Sequence, residues 1–173
     1  MADQSGNELS IERIDNLSIV SLKVSRNSLD SAREKLQLAG SLGVAGSDPR
    51  SLWLGPDRWL LVSSTIAPDA MIKLCKQALT GTIYNAVDYS AGLAAFRVAG
   101  PEARRLLATG TGIDLRSRNF PDYSCARTRL AQIAAVIVAG AAESFDVYVD
   151  RSYDTYLTDW LAESSSIYLS YRT

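Results

Sequence analysis

The residue types that most often carry out catalysis are absent or scattered in this sequence. It contains no histidine, which removes the commonest general base, the usual metal ligand and the Ser-His and Cys-His nucleophile pairs. Its two cysteines, Cys75 and Cys125, form no CxxC motif, so we interpret them as buried thiols rather than as a redox or zinc site. This composition argues against most hydrolase mechanisms, and we predict no catalytic residue and no metal ligand in the chain.

Acidic and glycine-containing segments are the remaining candidates for a metal or phosphate site. Asp146, Asp150 and Asp154 are spread over a predicted strand end and the start of a helix, where negative charge is favourable beside the helix dipole. A metal site is the alternative to that structural role. The segment 40–46 lacks the lysine of a phosphate loop, and the glycines in 110–112 follow a helix that they most simply terminate. Phosphate binding is the alternative at both segments, and neither one identifies a substrate.

Two loops have the composition of a protein-contact surface. Residues 113–123 form a long irregular segment that mixes arginines with aromatic residues, and residues 55–58 form a predicted hairpin turn. Arg, Tyr and Phe are enriched where proteins dock because they combine apolar area with planar hydrogen-bonding groups. An ordinary ordered loop is the alternative for 113–123. The candidate subunit-contact residues are Pro56, Asp57, Arg58, Arg116, Arg118, Phe120, Pro121 and Tyr123.

The elements that position these loops follow from the spacing of apolar residues. Alternating apolar residues predict strands, and apolar residues three and four apart predict helices. Four helices are expected, after residue 28, from Pro68, from Pro101 to 107, and after Ser152. The strands are expected at 9–14, 17–24, 51–54, 58–62, 83–87, 93–98, 127–131, 134–138, 145–149 and 167–171.

Particular residues are expected to set the helix ends. Asn27 or Ser28 can cap the first helix, and Gly40 suits the left-handed position after it. Pro68 can start the second helix, since its missing N–H costs nothing there. Ser152 can cap the last helix.

The order of elements in the two halves points to an internal duplication. Residues 69–72 (DAMI), followed by Ile83, match residues 154–157 (DTYL), followed by Ile167, at a separation of about 85. Each copy reads as strand, helix, hairpin, helix and strand. This is the split βαβ, or ferredoxin-like, arrangement, in which two helices cover one face of an antiparallel sheet. The predicted fold class is therefore α+β with duplicated split βαβ units.

Length and charge limit the remaining possibilities. The 173 residues, 47% of them hydrophobic, suffice for a compact domain, and a net charge of -1 provides no field to gather nucleic acid or anionic lipid. No apolar run approaches the roughly 20 residues of a membrane span, and the polar start of the chain is unlike a secretory signal. We expect a cytoplasmic protein with no nucleic-acid or membrane partner. Residues 1–8 are expected to be poorly ordered, and 9–173 to form one domain with lobes at about 9–90 and 91–173.

Several blocks between residues 17 and 165 together resemble one known family. They are 54–62 (LGPDRWLLV), 100–107 (GPEARRLL), 120–121 (FP), 125–133 (CARTRLAQI), 149–153 (VDRSY) and 160–161 (WL). Their order and spacing are far more specific than any single block. The family they resemble is the gamma subunit of heterotetrameric sarcosine oxidase.

That family is in turn similar to the folate-binding region of the glycine-cleavage T-protein, here at 87–90 (VDYS), 100–103 (GPEA) and Asp114. The resemblance implies a non-catalytic gamma subunit that acts in assembly and stability beside alpha, beta and delta subunits. In such a complex, sarcosine is oxidised to glycine at a flavin on another subunit, with formation of hydrogen peroxide. The one-carbon unit passes to tetrahydrofolate on the alpha subunit.

The resemblance also sets the expectations for cofactors and the alternatives for function. It implies no cofactor bound by this chain, with FAD, FMN, NAD and tetrahydrofolate held by the partner subunits. A stand-alone folate-binding protein of the T-protein superfamily is one alternative. The equivalent subunit of another N-methyl amine oxidase or dehydrogenase is the other, because substrate choice would belong to the flavin subunit.

Overall fold

The computed structural model describes residues 9–170, with side chains up to residue 166. Residues 1–8, predicted to be poorly ordered, lie outside that part. Two five-stranded antiparallel sheets and four helices make up the described residues, which confirms the predicted α+β class. In chain order the elements are β1 (Ser10–Ile14), β2 (Ser18–Val24), α1 (Leu29–Leu36), β3 (Val44–Ala45), β4 (Arg50–Gly55), β5 (Arg58–Ser63), α2 (Pro68–Ala78), β6 (Tyr84–Asp88), β7 (Leu93–Ala99), α3 (Ala103–Gly110), β8 (Cys125–Leu130), β9 (Ile133–Ala139), β10 (Ser144–Asp150) and α4 (Asp154–Ser170).

The chain divides into two compact units. The early unit comprises residues 15–92 and 123–126. The late unit comprises the described residues up to 14, residues 93–122, and the described residues from 127 onward. Each unit is built on one of the sheets and two of the helices.

The early unit has strand order β3-β4-β5-β2-β6. Alternate residues of β2 and β5, such as Leu22 and Leu61, point to the face that α1 and α2 cover. Met71 and Cys75 lie one turn apart on α2 and are fully buried against that face. The apolar alternation in the strands and the 3.6-residue period of α2 therefore meet in one core.

The β4–β5 hairpin carries two tryptophans in direct register. Trp53 lies opposite Trp59 across the pair, so both rings are on the same face of the sheet. The Trp59 ring is fully buried, and its Nε1 donates a 2.9 Å hydrogen bond to the carbonyl of Ala39. This bond satisfies the polar edge of a buried indole.

The late unit repeats the topology of the early unit, except that one edge strand comes from a different part of the chain. Its strand order is β8-β9-β10-β7-β1. The chain order of the late unit matches that of the early unit: β7 corresponds to β2, α3 to α1, β8 to β3, β9 to β4, β10 to β5 and α4 to α2. The position that β6 takes in the early unit is taken in the late unit by β1, which pairs antiparallel with β7. The predicted duplication is confirmed, and the last strand of the second copy comes from the start of the chain.

The predicted strand at 167–171 is accordingly wrong for its described residues. Helix α4 runs on through Ser170 and is 17 residues long, while Tyr171 lies outside the described part. Because β1 already occupies the edge beside β7, no strand is needed there after α4. Of the helices described, none has the combined length and apolar character required to cross a membrane.

Three predicted helix ends also differ. The side chain of Ser28 stands at the start of α1 without a capping bond, and α1 ends in a left-handed Gln37 with φ 50° rather than at Gly40. Before α4, the Asp150 side chain accepts a bond from the N–H of Ser152, so the aspartate is the cap. Pro68 begins α2 as predicted.

Candidate functional site

The turn between β4 and β5 contains three of the predicted contact residues. Pro56 and Arg58 are exposed, and Asp57 is partly buried. The Asp57 carboxylate lies 3.7 Å from Nε of Arg58 and 4.0 Å from Nζ of Lys23. The backbone carbonyl of Asp57 accepts a 3.0 Å hydrogen bond from the N–H of Val24. The turn is therefore fastened to β2 and carries charges of both signs.

Arg104, which we did not single out from the sequence, organises the irregular loop after α3. Its side chain is only 14% exposed. Nη1 donates to the carbonyls of Leu115 and Phe120, the latter at 3.1 Å. Nε and Nη2 lie 2.9 and 3.4 Å from the carboxylate of Glu143, and the guanidinium stands 4.9 Å from the centre of the Phe145 ring. One planar group thus ties the loop to the β9–β10 turn.

The internal duplication contains a signal for this arginine. The pattern Ala-Arg-x-x-Leu occurs at 32–36 on α1 and again at 103–107 on α3. In the early unit Arg33 stands 5.9 Å from the centre of the Trp59 ring on β5. In the late unit, Phe145 occupies the equivalent strand, β10. Comparison of these two helices would have singled out Arg104 as the counterpart of Arg33.

The tip of the loop after α3 is held by Asp114. Its carboxylate accepts bonds from Nε and Nη2 of Arg116, at 2.8 and 2.5 Å, and from Nδ2 of Asn119 at 2.5 Å. The bonds from Arg116, followed by that from Asn119, hold the pKa of Asp114 well below its usual range. Arg116 is therefore paired inside the loop. Arg118 is exposed and forms no ion pair with any described residue.

Phe120 and Tyr123 occupy very different environments. Phe120 is 6% exposed, so its ring is buried in the free chain. Tyr123 is 62% exposed and belongs to the early unit, where its carbonyl accepts a 2.9 Å bond from Val44. Leu42 is 56% exposed, and its backbone carbonyl accepts a 2.8 Å hydrogen bond from the N–H of Cys125. Tyr123 and Leu42 both have positive φ, which is uncommon for residues other than glycine.

The predicted contact residues are divided between the two units. The turn 56–58 and Tyr123 belong to the early unit, whereas Arg116, Arg118, Phe120 and Pro121 belong to the late unit. Their role in subunit contact stays a prediction. The members exposed to solvent are Pro56, Arg58, Arg116, Arg118, Pro121 and Tyr123.

Two carboxylates at strand ends are satisfied within their own turns. Oδ1 of Asp88 accepts bonds from the N–H and the hydroxyl of Ser90, at 2.9 and 2.6 Å. Asp150 accepts the same two bonds from Ser152, at 3.0 and 2.6 Å. These bonds, the hydroxyl first, lower the pKa of both carboxyls. Both aspartates are therefore ionised turn residues and not general acids.

The remaining singled-out acids are paired with arginines. Asp146 is 4% exposed and accepts bonds of 2.8 and 3.1 Å from Arg97. Asp154 lies 2.5 Å from Arg13 and 3.7 Å from Arg151. Within residues 9–170 no group of three acidic or thiol side chains is placed to hold a metal ion. Asp146 and Asp154 are therefore ion-pair partners of arginines.

The two cysteines are free and buried. Burial raises the pKa of Cys75 to about 11 and that of Cys125 to about 12. Sγ of Cys125 donates a 3.3 Å bond to the carbonyl of Trp53. Because the thiolate is the reactive form, neither cysteine is an effective nucleophile near neutral pH.

A groove of about 510 Å³ lies between α1 and α2 in the early unit. Its described lining is mostly apolar and contains no carboxylate, so it holds no acid–base pair. Nothing in the sequence had pointed to this groove, since each lining residue reads as ordinary helix or strand. The lining residues are Lys35, Leu36, Gln37, Pro49, Ser51, Leu61, Met71, Leu74, Cys75, Gln77 and Ala78.

A family model described as sarcosine oxidase, gamma subunit family, matches residues 30–167, which is most of the chain. The chain belongs to this family. It is 28% identical over 125 residues to the sarcosine oxidase subunit gamma of Corynebacterium sp. strain U-96, covering 71% of this chain and 60% of that protein. It is 26% identical over 136 residues to the Arthrobacter sp. subunit gamma, covering 78% and 65%. The chain thus spans less than two thirds of the length of both relatives.

Solved structures agree on the fold. The heterotetrameric sarcosine oxidase from Corynebacterium sp. U-96, in complex with pyrrole 2-carboxylate, matches with a TM-score of 0.81 and 23% identity over 93% of this chain and 85% of that one. The glycine cleavage system aminomethyltransferase T from Bartonella henselae matches with a TM-score of 0.66 and 13% identity, over 90% and 45%. At these identities the likeness concerns the fold, and it agrees with the predicted resemblance to a T-protein-like domain.

Proposed function

We propose that this chain is a non-catalytic gamma subunit of a heterotetrameric sarcosine oxidase and contributes to assembly and stability. The observation that carries the proposal is membership of the sarcosine oxidase gamma subunit family over residues 30–167. The partners are then the alpha, beta and delta subunits. Oxidation of sarcosine to glycine and peroxide, with transfer of the one-carbon unit, takes place on those partners, which hold FAD, FMN, NAD and tetrahydrofolate.

The chemistry of the described residues supports a non-catalytic role. The sequence has no histidine, and the two thiols have a raised pKa because they are buried. The carboxylates at the ends of β6 and β10 are hydrogen-bonded to serines in their own turns. A general base needs a pKa near the working pH and access to the substrate, and these groups lack that combination.

A folate site on this chain is the alternative, and the two acidic residues that resemble the T-protein are hydrogen-bonded within their own loops. Asp88 uses Oδ1 to accept two bonds from Ser90. Asp114 is bound by Arg116 and Asn119. Both carboxylates therefore hold their own loops together, which favours a structural role for them.

Co-expression with the alpha, beta and delta subunits tests the proposal. Tagged chain should copurify with the three partners, and omission of its reading frame should lower the yield of intact complex. Peroxide formation from sarcosine per flavin should stay the same in whatever complex still forms, because the gamma subunit supplies no reacting group. A chain that never joins the flavin-containing subunits would overturn the proposal. Calorimetric titration of the isolated chain with tetrahydrofolate tests the alternative. Measurable heat of binding would favour a folate-binding protein.

A further inference from the structure

Strand β6 forms one edge of the early-unit sheet, and its outward face carries the exposed residues Asn85 and Val87, with Ile83 and Tyr89 just beyond its two ends. Ile83, just before the strand, is 81% exposed, Val87 is 49% exposed and Tyr89 is 40% exposed. These residues are two or four positions apart, so their side chains lie on one face of the strand. The alternate residues Tyr84 and Ala86 pack toward the core that α1 and α2 cover. The edge thus has one face fixed in the core and one open to solvent.

The pairing with β2 shows which backbone groups of β6 point outward. The carbonyl of Ile83 accepts a 2.9 Å bond from Ser25, and the N–H of Tyr89 donates a 2.7 Å bond to Ile19. In an antiparallel pair, residues that exchange hydrogen bonds alternate with residues that do not. Positions 83, 85, 87 and 89 therefore bond to β2. The N–H and C=O groups of 84, 86 and 88 point away from it, and within residues 9–170 no second strand pairs with β6.

The other sheet edges carry features that block strand addition. Glu12 and Arg13 lie on β1, Arg127 and Arg129 lie on β8, and β3 has only two residues. Natural proteins protect open edges with charges and short strands, because an unprotected edge pairs readily with another chain. Residues 84–87 of β6 contain no charge and no proline, and Asp88 is the last residue of the strand. Among the described edges longer than two residues, this one therefore carries the fewest charges.

We propose that β6 is a docking strand to which an extended segment of a partner subunit adds by backbone hydrogen bonds. This inference rests on the proposed function, because it identifies the surface through which the subunit assembles. Only another strand offers alternating N–H and C=O groups that match those at 84, 86 and 88. Apolar side chains at alternate positions of the added strand cover Ile83, Val87 and Tyr89. Contact elsewhere on the subunit enlarges the interface.

A second copy of this chain is a poorer occupant of the edge. β6 has five residues, so a symmetric pair of β6 strands would be only about 17 Å long. Such a strip falls well short of the roughly 1,000 Å² that a stable interface buries. A partner subunit in a permanent complex supplies the missing area through its other contacts. The partner strand is therefore the occupant that the geometry favours.

Hydrogen exchange of the wild-type chain, free and in the co-expressed complex, tests the backbone bonds directly. The amides of 84, 86 and 88 should exchange rapidly in the free chain and slowly in the complex. The amides of 85 and 87 should be protected in both, since they already bond to β2. Equal exchange of 84, 86 and 88 in the free chain and the complex would overturn the proposal.

Charge added to the edge tests the same surface. Ile83→Lys and Val87→Lys place an ammonium on an exposed position, so each chain should fold with a wild-type circular dichroism spectrum. Each should lower copurification with the alpha, beta and delta subunits by about tenfold or more. Leu74→Lys, at a 47% exposed position on α2, is the matched control and should copurify normally.

The outcomes separate the two proposals. If the wild-type chain itself fails to copurify, the proposed function is wrong. If the wild type copurifies and both edge variants do so equally well, or if Leu74→Lys fails as severely as they do, the assignment of the edge is wrong. The purified chain could instead form a homodimer that Val87→Lys converts to monomers. That result would assign the edge to a second copy and would also overturn the proposal of a partner strand.

Discussion

Replacement of Arg104 by methionine should destabilise the late unit strongly. The guanidinium donates to two loop carbonyls, and hydrogen bonds from a charged donor contribute about 1.5–3 kcal/mol each. Its pair with Glu143, a residue that is 43% exposed, adds at most about 1 kcal/mol, and its contact with the Phe145 ring adds about 0.5–1 kcal/mol. These contributions are not additive, and methionine restores some packing. We expect a net loss of about 3 kcal/mol in the free energy of unfolding.

Thermal unfolding of the purified chain, followed by circular dichroism, measures this loss. At roughly 2–4 °C per kcal/mol for a chain of this size, Arg104→Met should lower Tm by about 6–12 °C. Arg104→Lys should lose about half as much, since an ammonium keeps the charge but cannot reach both carbonyls and Glu143 together. Hydrogen exchange in 113–122 should accelerate in both variants.

The adjacent arginine provides the control. Arg105 is 70% exposed and forms an i,i+3 pair with Glu102 at 3.3 Å, so Arg105→Met should cost less than about 0.5 kcal/mol. If Arg104→Met and Arg105→Met unfold at the same temperature, the guanidinium does not organise the loop. The reasoning would be equally wrong if Arg104→Lys matched the wild type.

Three further predictions concern packing, pH and thiol reactivity. Gly110→Ala should cost about 1–3 kcal/mol in urea unfolding, because the added Cβ would lie 2.6 Å from the Trp160 ring, whereas Gly112→Ala, with nothing within 4 Å, should be neutral. Ser90→Ala removes a bond that lowers the pKa of Asp88. The stability lost with that bond should be full above the ordinary carboxyl pKa of about 3.9 and should disappear as pH falls through the lowered pKa. The cost of the lost bond from the N–H of Ile19 to the serine hydroxyl should remain at every pH. Equal effects at pH 7 and pH 2 would contradict that assignment. The two buried thiols should resist iodoacetamide at pH 8 and react fully in urea, and rapid alkylation of the folded chain would disprove their raised pKa values.

Periodicity was sufficient to predict most of the elements. Apolar residues alternate along β2, and Met71 and Cys75 are four residues apart on α2. Both patterns predicted the faces that are buried in the structure. Pro68 marked the first residue of α2 because its fixed φ and missing N–H suit that position. Local patterns succeed wherever one face of an element is in the core.

Long-range pairing was harder to predict. The apolar end of α4 reads as a strand when the second copy is expected to finish like the first, yet β1, which pairs with β7 over more than 80 residues of sequence, fills that place. Gln37 ends α1 in a left-handed conformation that Gly40 was expected to take, because tertiary packing overrode residue preference. Neither outcome is visible in a local window.

The candidate surface was predicted in part. Composition identified the loop after α3 but could not tell which of its aromatic rings would be buried, and Phe120 proved to be inside. Arg104 was overlooked because charged residues on a predicted helix ordinarily face solvent. The open edge at β6 was invisible because whether a strand lies at an edge depends on the order of strands in the sheet.

The most direct test of the proposed role is the mass of the intact complex, measured by native mass spectrometry after co-expression with the alpha, beta and delta subunits. We expect one assembly that contains this chain together with all three partners, and a marked loss of that assembly when β6 carries Val87→Lys. An intact, fully populated complex of the three partners from which this chain is absent would contradict the account.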